Sequence, residues 1–61
     1  MTPKQIIKLR KDLGLTQEKL AGTIGIEQHT VPAWETGKAR PRGRNLKALR
    51  ELQEKAKAEA K

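Results

Sequence analysis

Apolar residues fall into four clusters along the chain, and a glycine closes each of the first three. In the first, Ile6, Leu9 and Leu13 stand at i, i+3 and i+7, which is one face of a helix. Thr2 offers an N-cap hydroxyl, and Pro3 suits the first helical position. Gly14 stops the segment, and Lys8, Arg10 and Lys11 near its end complement the helix dipole. In the second cluster Leu20, Ala21 and Ile24 form the apolar face behind Thr16 as N-cap, and Gly25 ends that helix. The third is shorter, with Val31 and Trp34 three apart and Gly37 as the stop. In the fourth, Leu46, Leu49 and Leu52 line one side of "NLKALRELQEKAKAEAK", a run of strong helix formers. Past Leu52 only Ala, Lys, Glu and Gln remain, so the tail at about 53–61 can form helix with little to bury, and fraying is expected there. "KARPRGR", between the third and fourth clusters, reads as a loop marked by Pro41 and Gly43. No strand pattern and no internal repeat is present.

This pattern predicts an all-α chain folding as a single domain over residues 1–61. So short a chain buries only about 60% of the surface its unfolded form exposes, so the core must be one small cluster. The expected members are Ile6, Leu9, Leu13, Leu15, Leu20, Ala21, Ile24, Ile26, Val31, Trp34, Leu46, Leu49 and Leu52. There is no cysteine, so neither disulfides nor thiolate metal sites can help, and one histidine cannot build a zinc site of the usual kind. No metal and no cofactor is expected. No nucleophile–base pair or Gly-rich phosphate loop is visible, and no enzymatic activity is expected.

Charge changes the picture more than composition does. Fourteen Lys and Arg stand against seven Asp and Glu, for a net charge of +7. Such a balance favours a polyanionic partner, nucleic acid or an anionic membrane surface. From Lys38 to Arg50 lie six basic residues and no acidic one. No apolar run exceeds two residues, far short of the about 20 a transmembrane helix needs, so a cytoplasmic protein is expected. Trp34 is the sole aromatic residue, which argues against the stacking platforms of most single-strand binders.

Two short helices split by a glycine turn, with a third close behind, describe a helix-turn-helix. The run "LRKDLGLTQEKLAGTIGI…VPAWETGKARP" resembles the lambda-repressor and Cro-like helix-turn-helix family over residues 5 to 52. The resemblance implies a small helical bundle of four to five helices that binds double-stranded DNA as a transcriptional regulator, of repressor or antitoxin type. It places Gln17 at the start of the second helix as a phosphate clamp, and a helix N-terminus with free N–H groups suits that role. It places Gln28 and His29 against base edges, where Gln can pair with adenine and His can donate to guanine. Ala33 lies toward the same side and can offer a methyl contact to thymine. Thr30, Lys38, Arg40, Arg42 and Arg44 would meet phosphates. Arg10 and Glu35 match a pair that ties the first helix to the end of the third. Glu27 departs from the pattern, which has Ser or Thr there as a cap; it reads as a solvated acid, although it could accept from cytosine N4.

Pro32 is the second departure. If Glu27 caps the third helix, Pro32 is its fifth residue, where a proline loses a hydrogen bond and crowds a carbonyl. The helix can bend at Gln28 and His29, or it can start late with Val31 extended before the proline. The expectation is a family-like placement with a distorted or delayed first turn. Both departures leave room for another class of function, a protein-interaction or scaffolding module that kept the fold without the readout. A monomer is expected in isolation, with pairing only on DNA, because the residues after Leu52 are polar.

Overall fold

A capping box starts the first helix. In the computed structural model, which describes residues 1–59, Thr2 Oγ1 accepts the Gln5 N–H at 3.2 Å and Gln5 Oε1 accepts the Thr2 N–H at 2.8 Å. The described residues form four helices: α1 Pro3–Asp12, α2 Gln17–Ile24, α3 Thr30–Glu35 and α4 Gly43–Glu59. No strand occurs among the described residues. At the head of α2, Thr16 Oγ1 accepts the Lys19 N–H at 3.1 Å, so both hydroxyl caps lie where the sequence put them. The expectation of a frayed tail extends to Ala60 and Lys61, which lie outside the described residues.

α1, α2 and α3 end by one device. The residue that follows each closing glycine donates its N–H back five positions: Leu15 to Arg10 O at 3.0 Å, Ile26 to Ala21 O at 3.0 Å, and Lys38 to Ala33 O at 2.9 Å. The residue just before the donor must turn left-handed, and at Gly25 φ is +76°, a region that costs a side chain about 1 kcal/mol or more. The side chain after each glycine decides where the chain goes. After α1 and α2 it is Leu15 and Ile26, both half-buried against the core. After α3 it is Lys38, exposed, and the chain leaves for solvent as a basic loop.

α1 and α2 each pack against both α3 and α4. The side chains buried between them are Ile6, Leu9, Leu20, Ala21, Val31, Trp34 and Leu49. Leu13, Leu15, Ile24, Ile26 and Leu52 surround that centre as half-buried residues, joined by Met1 and Ala56. Ala56 thus extends the packed face of α4 one turn beyond Leu52.

Leu46, expected in the core, is not part of it. It is only half-buried and borders a shallow surface depression walled by Gly43, Lys47, Arg50, Glu51 and Glu54, all from α4 itself. Leu49 is the centre of the apolar face, and Leu46 lies about 60° round the helix from it. No other helix lines that depression. Pro41 is the opposite case. It is buried, although it belongs to the loop.

Candidate nucleic-acid interface

The turn between α2 and α3 exposes three consecutive side chains, Glu27, Gln28 and His29. Glu27 does not cap α3 with its carboxylate. Its backbone carbonyl accepts the Thr30 N–H at 3.1 Å, while the carboxylate lies 3.1 Å from His29 Nε2. The helix begins late, at Thr30. His29 flanks it in right-handed helical conformation and makes no side-chain capping bond. Pro32 is therefore the third helical residue and not the fifth. The first four N–H positions of any helix lack an internal acceptor, so the missing proton of Pro32 leaves no bond unmade. The delayed start expected from the sequence is the arrangement found, but Val31 is helical and buried, not extended.

At the far end of α3 a buried carboxylate collects three donors. Glu35, with 7% of its side chain exposed, accepts Arg10 Nε at 2.8 Å on Oε2 and Arg10 Nη2 at 3.2 Å on Oε1. Gln17 Nε2 donates to the same Oε1 at 3.1 Å. Arg10 Nη1 reaches on to the Leu15 carbonyl at 3.2 Å, which secures the loop between α1 and α2. The hydrogen bond from Arg10 to Glu35 raises the guanidinium above its ordinary pKa; burial opposes this, and the charge of Glu35 adds to it. A raised value means that this arginine's share of stability is full at neutral pH and is lost only in strong alkali. Arg10 and Glu35 are thus joined as a fork. The bond from Gln17 was not legible in the sequence, because it spans eighteen positions and uses no charge pair.

Gln17 opens α2 and Glu35 closes α3, so this bond sets the start of α2 beside the end of α3. The loop at residues 36–42 leaves from that same end. Lys38, Arg40 and Arg42 are exposed along it and Arg44 is exposed at the start of α4, with buried Pro41 pinning the chain between Arg40 and Arg42. The Arg42 carbonyl accepts the Asn45 N–H at 3.1 Å and so starts α4, whose first turn holds no acidic residue. Thr30 and Ala33 are half-buried on α3. Gln28 and His29 stand at the opposite end of α3 from Gln17, about 9 Å away along the axis of a six-residue helix.

The family model for a helix-turn-helix matches residues 6–52. The chain belongs to the lambda-repressor/Cro-like helix-turn-helix family. Comparison with curated proteins and with solved structures returned no match. The helix-turn-helix is α2, the Gly25 turn and α3, and α1 and α4 brace it. The family is one of DNA-binding transcription regulators, not of enzymes. Among the described residues of this helix-turn-helix protein no group of three or more His, Cys, Asp or Glu could hold a metal ion. No helix among them is long and apolar enough to cross a membrane.

Proposed function

We propose that this helix-turn-helix protein binds double-stranded DNA sequence-specifically and regulates transcription, with α3 against the major groove. One observation carries the reading: the exposed basic loop, Lys38 to Arg44, leaves the end of α3 directly beside Gln17, while Gln28 and His29 stand exposed at its other end. A duplex lying across α3 meets cations at one side and hydrogen-bonding side chains at the other. Phosphate contacts then fix register, and base edges supply discrimination. Gln17 keeps one amide proton beyond the one given to Glu35, and that proton serves a backbone oxygen. Thr30 adds its hydroxyl to the phosphate set. Ala33 presents a methyl group to thymine. The start of α4, with free N–H groups, Arg42 and Arg44 and no acid in its first turn, adds a second anion-facing end.

The protein is a monomer alone and pairs on DNA, with half-sites about one helical turn apart. Sedimentation at micromolar concentration checks the first part, and a tight dimer would overturn it. For the main reading, the isotope-labelled protein is titrated with random duplex at low ionic strength. Resonances of the Gln17 side-chain amide, Gln28, His29 and the Lys38–Arg44 loop are expected to move. If all stay fixed, the fold serves another purpose, and docking to other polypeptides becomes the reading to pursue.

A further inference from the structure

We infer that Glu27 and His29 together read one C·G base pair in the major groove, with Glu27 as the residue that sets the specificity. The inference rests on the DNA-binding reading and extends it to a base identity.

Both side chains are about four-fifths exposed, at 78% for Glu27 and 77% for His29. Such residues usually point separately into water. Here Glu27 Oε2 and His29 Nε2 lie 3.1 Å apart. A carboxylate only accepts, and an imidazole N–H donates. The surface therefore presents an acceptor and a donor side by side at hydrogen-bond spacing. The major-groove edge of a C·G pair presents the converse: the donor N4–H of cytosine beside the acceptor O6 of guanine, themselves paired at about 2.9 Å. Glu27 takes the cytosine N4–H, and His29 turns its N–H to guanine O6. The two side chains, already close together, would then make two hydrogen bonds to the base pair.

The other pairs fit worse. An A·T pair in the same orientation also offers a donor beside an acceptor, adenine N6 and thymine O4. Adenine, however, carries the acceptor N7 on the side of the carboxylate, where the two repel. Cytosine has only C–H there. On the side of the imidazole, thymine places a methyl group, and guanine places a second acceptor, N7. Reversed pairs put an acceptor against Glu27. A carboxylate is also repelled by phosphates, so Glu27 weakens binding to duplex in general. Its effect is to reject wrong sequences rather than to strengthen all binding.

The test is selection of bound sites from a random duplex pool with the unaltered protein, Glu27→Ala and His29→Ala. Both positions are exposed, and equal thermal melting of the three proteins shows that the fold is kept. The unaltered protein is expected to enrich a C·G pair at one half-site position. Glu27→Ala loses about tenfold discrimination there while binding random duplex more tightly. His29→Ala loses discrimination at the same pair. Enrichment of sites without that C·G pair, or a Glu27→Ala protein that retains the preference, overturns the inference and leaves DNA binding standing. Retention of duplex with no sequence enriched overturns it as well. Failure to retain any duplex at low salt removes both this inference and the reading beneath it.

Discussion

Arg10 Nε lies 2.8 Å from Glu35 Oε2, and this contact joins the first helix to the end of the third across twenty-five positions of sequence. Gln17 shares the same carboxylate, so one acidic side chain fixes three elements: α1, the head of α2 and the tail of α3.

Removing Glu35 leaves a largely buried guanidinium without its partner. Glu35→Ala is expected to cost about 3–5 kcal/mol, which is comparable to the whole stability of so small a domain. The double change Arg10→Met with Glu35→Leu is expected to be much milder, because it removes both charges from the interior. Urea unfolding followed by circular dichroism compares the two. A single variant as stable as the parent would show that the fork is ornamental.

Trp34 is 2% exposed in the centre of the core. Trp34→Ala is expected to cost about 3–5 kcal/mol and to leave the chain largely unfolded at room temperature. The parent offers its own check, because Trp34 is the sole tryptophan. Its fluorescence is expected to be blue-shifted in buffer and to move red in a single step with urea. Emission already at the position of free indole in water would contradict its burial.

Pro32 separates two descriptions of the reading helix. As the third helical residue it loses no hydrogen bond and stiffens the unfolded chain, so Pro32→Ala is expected to cost a modest 0.4–1 kcal/mol or so, roughly the entropy a proline removes from the unfolded state. A proline within the helix would behave oppositely, and its removal would stabilise by about 3 kcal/mol. Melting temperatures of the two proteins decide, and a large rise on substitution is the adverse result.

The basic loop makes DNA affinity depend on salt. With about five phosphate contacts the slope of log K against log salt is expected near −4.5, from about 0.9 per neutralised phosphate. Arg40→Ala and Arg42→Ala should each reduce its magnitude by about 1. Affinity that hardly changes between low and moderate salt would count against the loop as a backbone contact.

How far the site was legible depended on how local its causes are. Thr2, Thr16 and the turn at Gly25 act within a few residues, and each stands where the sequence placed it. The start of α3 was less readable. Glu27 serves through its backbone carbonyl, which any residue supplies, while its carboxylate goes to His29. Leu46 shows the limit of periodicity, since spacing identifies an apolar face but not which flank a neighbour covers. Pro41 shows the converse, a loop residue buried by what folds over it.

The sequence alone determined the helical character of the chain, the glycine stops, the apolar residues available for a core and the basic run after Gly37. These arise from sterics, hydrogen bonding and charge within a turn or two of each residue. Tertiary structure decided that Glu35 holds Gln17 as well as Arg10, that Pro41 goes inside and that Leu46 stays at the edge. Each of these depends on which surfaces distant segments bring together, and solvent exclusion, which sets their energies, is a property of the assembled helices and not of any one stretch of chain.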